Sequence, residues 1–72
     1  MVDEHARRRL AAVSRRLAAE GLVSGAGGNV SLRTPQGILI TPSGLPCAET
    51  GPDDLVLVDL EGRVLEGTRK PS

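Results

Sequence analysis

Apolar residues recur at steps of four, three and four near the start of the chain: Ala6, Leu10, Val13 and Leu17. That spacing lies on one face of a 3.6-residue repeat and predicts an amphipathic helix over residues 3–20. Asp3 and Glu4 suit its first turn, where the helix dipole favours acid. Gly21 follows the last periodic position and suits a left-handed cap. Arg7, Arg8, Arg9, Arg15 and Arg16 fall on the flanks and back, and His5 in the first turn, all read as solvated.

The period then changes. Val30-Ser31-Leu32-Arg33 alternates apolar and polar, Thr34-Pro35-Gln36-Gly37 has the residues of a β-turn, and Ile38-Leu39-Ile40-Thr41 is short and β-branched. Together they predict a hairpin over residues 30–41. A run as apolar as Ile38 to Ile40 asks for cover on both faces. Thr41-Pro42-Ser43-Gly44 is a second turn signal, and Cys47 beyond it is expected to be buried or half-buried. Thr50-Gly51-Pro52-Asp53-Asp54 reads as one helical turn, with Thr50 or Gly51 capping and Pro52 first inside. Adjacent aspartates point different ways, so the pair is read as helix-start acid rather than a shared metal site. Residues 55–60 are the strongest strand, Glu61-Gly62 the turn, and residues 63–66 the returning partner. Residues 67–72 are expected to leave the sheet. One helix followed by antiparallel hairpins makes an α/β chain.

Composition limits what such a chain does. Lys+Arg and Asp+Glu are both 9, so no net field points to nucleic acid or a membrane. No run is apolar enough to span a bilayer, and the charged start lacks the apolar stretch of a signal peptide, so a cytoplasmic location is expected. One Cys excludes an internal disulfide, and one His leaves no ordinary zinc site within this chain alone. Aromatic residues number zero, so Leu, Val, Ile and Ala must supply the whole core. A chain of 72 residues without a staple is expected to be poorly folded or self-associating in isolation, and to be a fragment.

Candidate chemistry sits in the loops. Ser24-Gly25-Ala26-Gly27-Gly28-Asn29 either turns the chain tightly or gathers backbone N–H groups and the Asn29 amide around an anion. It is neither a P-loop nor a Rossmann loop, and on pattern alone the plain turn is favoured. Ser43 and Gly44 offer a hydroxyl and an N–H to one anion, or merely turn the chain. Arg69 and Lys70 ahead of Ser72 suit an anion or a solvated end equally.

The order GGNVSLR, GILITPSG, GPDDLVLVDLEGRVLEG and RKPS resembles the N-terminal part of the class II aldolase/adducin family, from about Leu10 to Ser72. The resemblance implies that residues 1–72 are an N-terminal fragment of one three-layer α/β/α domain around a largely antiparallel sheet. It implies a phosphate grip from Gly28 and Asn29, from Ser43 and Gly44, and from Ser72 as the first member of a serine pair. All are uncharged donors, which a charged ligand strengthens. Family lyases carry an acid just after that pair and three metal-binding histidines further on, so zinc or another divalent metal is expected in the intact protein and none in this chain alone. A sugar phosphate substrate and a homotetramer are implied as partners. No catalytic residue is assigned within residues 1–72. Two alternatives stand beside the aldolase or epimerase reading: a non-catalytic adducin-like interaction domain, and an unrelated α+β domain whose glycine loop only turns.

Overall fold

The computed structural model describes residues 4–25 and 27–72; Asp3 and Ala26, placed above in the helix start and glycine loop, lie outside them. The element order is helix α1 (Glu4–Ala19), strands β1 (Ser31–Thr34) and β2 (Gly37–Ile40), two 3-10 turns (Cys47–Glu49 and Pro52–Asp54), then β3 (Val56–Val58) and β4 (Val64–Glu66). The predicted elements all form, with β3 shorter than expected because Asp59 and Leu60 belong to the turn. There the Asp59 carboxylate accepts the Glu61 and Arg63 N–H groups, each at 2.9 Å, and holds Arg63 Nε at 2.8 Å. The Arg63 N–H is the main reason this carboxyl sits below its ordinary pKa.

Helix α1 ends where Gly21 adopts φ +73°. Leu22 N donates to Leu17 O at 3.0 Å and Gly21 N to Ala18 O at 3.1 Å, the paired bonds of a Schellman cap. The strands form one antiparallel sheet in the order β1-β2-β3-β4, with Leu32 opposite Leu39 and Leu39 opposite Leu57. Those three share a face under α1, where Leu10, Ala11, Leu39, Leu55 and Leu57 form the buried core. Ile38, Ile40, Val56 and Val58 alternate to the other face. Val56 and Val58 are buried there, whereas Ile38 and Ile40 are only half-buried, short of the full cover their apolarity asks for.

The helix is rotated from its predicted face. Leu10, Ala11 and Ser14 are buried, Leu17 is half-buried, and Val13 remains 48% exposed. Small Ala11 and Ser14 permit close approach to the first 3-10 turn, and the Ser14 hydroxyl is satisfied by Leu10 O at 2.9 Å. The rotation also corrects the reading of Arg7 as solvated. Its guanidinium donates to Pro52 O at 3.1 Å and Leu55 O at 3.3 Å and pairs with Glu66 of β4.

Candidate phosphate-binding loops

In an antiparallel sheet, the starts of odd strands and the ends of even strands lie at one end. Here that end carries residues 28–30 before β1, residues 41–44 after β2 and residues 67–72 after β4. Each loop is uncharged at its candidate position, and the only ionic side chains they bring are Arg69 and Lys70.

Backbone bonds tie the three together. Thr41 N donates to Val30 O at 3.0 Å, and Val30 N donates to Thr41 Oγ1 at 3.1 Å. Ser43 N donates to Lys70 O at 2.7 Å and Ser72 N to Thr41 O at 3.2 Å, flanking a bridge between Pro42 and Pro71. Ser72 Oγ donates to Pro42 O at 3.3 Å. The last residues therefore do not simply leave the sheet as expected. They return along the Thr41–Gly44 turn and bring Ser72 beside it.

Arg69 fixes this return. Its Nε donates to Asp54 Oδ1 at 2.8 Å, while Asp54 Oδ2 accepts Gly51 N at 2.8 Å. The Gly51 N–H, and next the Arg69 bond, hold the Asp54 carboxyl below its ordinary pKa. Asp54 thus serves as the helix-start acid expected of it, with Gly51 capping and Pro52 first inside. The sequence signal for the Arg69 pair was weak, because fifteen positions separate the partners.

Asn29, Ser43, Gly44 and Ser72 are exposed, and Gly28 is half-buried. Among the described residues, the Asn29 amide, the Ser43 hydroxyl and the Gly44 N–H have no hydrogen-bond partner, and Lys70 has no ion pair. Gly28 is needed for packing: a Cβ there would meet Val23 Cγ1 at 2.5 Å. Its carbonyl faces Cys47 Sγ at 3.8 Å, and Cys47 is buried as expected. The arrangement presents uncharged donors and no carboxylate within the loops, which suits a small anion.

No three His, Cys, Asp or Glu side chains gather into a metal-ligating set among the described residues, and no helix is long and apolar enough to cross a membrane. Amide, hydroxyl and backbone N–H groups of Asn29, Ser43 and Gly44 are hydrogen-bond donors to an anion and do not make a divalent-metal ligand set.

The chain is 42% identical over 74 residues to a 5-deoxy-D-ribulose 1-phosphate aldolase of Bacillus thuringiensis, an alignment spanning 100% of this chain and 35% of that protein. It is 48% identical over 59 residues to a 5-methylthioribulose-1-phosphate/5-deoxyribulose-1-phosphate aldolase of Rhodospirillum rubrum, covering 82% of this chain and 26% of the other. Among solved structures, an L-fuculose 1-phosphate aldolase superposes with a TM-score of 0.89 at 35% identity, over 100% of this chain and 35% of that one. The L-fuculose-1-phosphate aldolase of Thermus thermophilus gives 0.68 at 45% identity, over 89% and 34%. The chain thus spans about a quarter to a third of the length of these relatives. Residues 8–72 match the family model described as the class II aldolase and adducin N-terminal domain, and the chain belongs to that family.

Proposed function

We propose that this chain is the phosphate-binding, N-terminal portion of a metal-dependent sugar-phosphate lyase of the aldolase or epimerase type. The observation that carries the reading is the joining of three loops, uncharged at their candidate positions, at one end of the sheet, with the Asn29 amide, the Ser43 hydroxyl and the Gly44 N–H uncommitted among the described residues. The resemblance to sugar-phosphate aldolases supports the same substrate class.

In this reading the Asn29 amide, the Ser43 hydroxyl and the Gly44 N–H bind the phosphate oxygens, and Ser72 joins by turning its hydroxyl away from Pro42 O. Neutral donors hold the dianion by charge-assisted hydrogen bonds of roughly 1.5–3 kcal/mol each. Lys70 adds a positive charge near the same end of the sheet. The grip orients the sugar phosphate by its non-reacting end, which is how remote binding energy positions a reacting carbon. The bond-breaking chemistry belongs to residues other than these.

Inorganic phosphate titrated into the labelled chain and followed by amide chemical shifts tests the reading. Shifts should concentrate at Gly28, Asn29, Ser43, Gly44 and Ser72. Asn29→Ala should weaken binding by roughly ten- to a hundredfold, and Arg8→Ala should leave it unchanged. Equal phosphate affinity in wild type and Asn29→Ala would make the loop structural only.

A further inference from the structure

Thr41 is buried and makes no ligand contact in the reading above, yet it is the residue on which the three loops meet. Its side chain is 1% exposed. Through Oγ1 it accepts the Val30 N–H at 3.1 Å, and through its own N–H it donates to Val30 O at 3.0 Å. Its carbonyl accepts the Ser72 N–H at 3.2 Å. Pro42, Ser43 and Gly44 follow it directly in the chain. One buried residue thus touches the neighbour of Asn29, leads into the Ser43-Gly44 turn and receives Ser72.

We infer that Thr41 is the positioning residue of the phosphate grip, its hydroxyl setting the Gly28-Asn29 loop relative to the Ser43-Gly44 turn. The inference rests on the phosphate reading and adds a residue to it. Two of the three Thr41 bonds use its backbone and survive any substitution except proline. The Oγ1 bond alone depends on the side chain. Val30 follows Asn29, so the orientation of that N–H is coupled to the peptide that carries the Asn29 amide. Without the hydroxyl, the Val30 N–H loses its acceptor and the hydrogen-bonded tie between Thr41 and the Asn29 loop is reduced to the Thr41 N–H on the Val30 carbonyl. A donor displaced by even an ångström no longer lies within hydrogen-bond reach of the same oxygen.

The test compares Thr41→Val, Thr41→Ser and Thr50→Val in the labelled 72-residue chain, titrated with inorganic phosphate and followed by amide shifts. Thr41→Val is nearly isosteric and exchanges the hydroxyl, with its acceptor oxygen and its O–H, for a methyl. Thr41→Ser keeps the hydroxyl and loses a methyl. Thr50→Val removes a hydroxyl that is equally buried, bonded to Pro46 O at 3.1 Å, and lies outside the loops. Phosphate affinity should fall about tenfold in Thr41→Val, with the Asn29 shift lost and the Gly44 shift kept. Thr41→Ser should bind within about twofold of wild type, and Thr50→Val should bind as wild type does, whatever each costs in stability. Equal affinity in Thr41→Val and wild type overturns the inference while leaving the phosphate reading intact. So does a Thr41→Ser variant as weak as Thr41→Val, which would assign the role to packing. A Thr41→Val chain that fails to fold while Thr50→Val folds overturns it too, since the hydroxyl would then be a determinant of the fold. Absence of phosphate shifts in wild type overturns the reading and the inference together.

Discussion

Replacing Arg7 by methionine removes a guanidinium while keeping most of the apolar stem. Three contacts disappear: the bonds to Pro52 O and Leu55 O, at 3.1 and 3.3 Å, and the pair with Glu66. Glu66 is left as a carboxylate 24% exposed with no countercharge among the described residues. Removing one partner of a fully buried ion pair costs about 3–5 kcal/mol, and this pair retains some contact with water, so about 2–3 kcal/mol is expected. A single unstapled core in a chain of this size rarely supplies more than about 3–5 kcal/mol, which makes the loss a large fraction of the whole. At about 4–8 °C per kcal/mol, the melting temperature should drop by roughly 10–20 °C. Arg8→Met is the control, because Arg8 is 73% exposed and its pair with Glu4 spans 3.6 Å; its effect should stay within about 0.5 kcal/mol. Urea unfolding followed by far-ultraviolet circular dichroism at neutral pH gives both values. Adding Glu66→Gln to Arg7→Met should cost less than the two single changes summed, since no orphan charge then remains. If the Arg7→Met midpoint coincides with that of Arg8→Met, Arg7 is no clamp between α1, the second 3-10 turn and β4, and the energetic argument fails.

Acid should loosen the return of the chain end. Because the Asp54 pKa is lowered, first by the Gly51 N–H and then by Arg69, its ionised form stabilises the fold fully above the ordinary value near ~3.9 and is lost as pH falls through the lower folded value. Asp54→Asn should therefore be less stable at pH 6 and show a shallower loss below about pH 4; an unchanged acid slope in urea titrations at several pH values would contradict this. Gly28→Ala should destabilise by about 1–3 kcal/mol and weaken phosphate binding, since its Cβ would meet Val23 Cγ1 at 2.5 Å. Gly28→Ala combined with Val23→Ala should recover part of both losses, measured by the same unfolding and phosphate titrations, and no recovery would show that packing against Val23 is not the reason for glycine.

Local signals carried the element order. The 3.6-residue spacing, Gly21 at the helix end, Pro35 in the first turn, Pro52 in the second 3-10 turn and the β-branched runs each act within a few residues, and all of them appear where expected. The candidate donors were also readable as residue types, because Asn, Ser and Gly in turns are conspicuous against an apolar chain. Their meeting was not readable from chemistry alone. The predicted hairpin over residues 30–41 already sets Asn29 beside the Thr41–Gly44 turn, but Ser72 reaches them only through the four-stranded order β1-β2-β3-β4 and the return of the chain after β4.

The sequence by itself determined one helix, two hairpins, a core without aromatic residues and a set of uncharged loop donors. Periodicity and turn chemistry are local, and nothing distant needs to be known to read them. Only the tertiary structure decided which helix face is buried. Ala11 and Ser14 prevail over Val13 because small side chains admit the first 3-10 turn, and Arg7 turns inward because Glu66 and two carbonyls await it. Only the tertiary structure decided the course of residues 67–72, where Arg69 finds Asp54 and Ser72 finds Thr41. Such pairings depend on which strands become neighbours, and that is settled when the sheet assembles over α1.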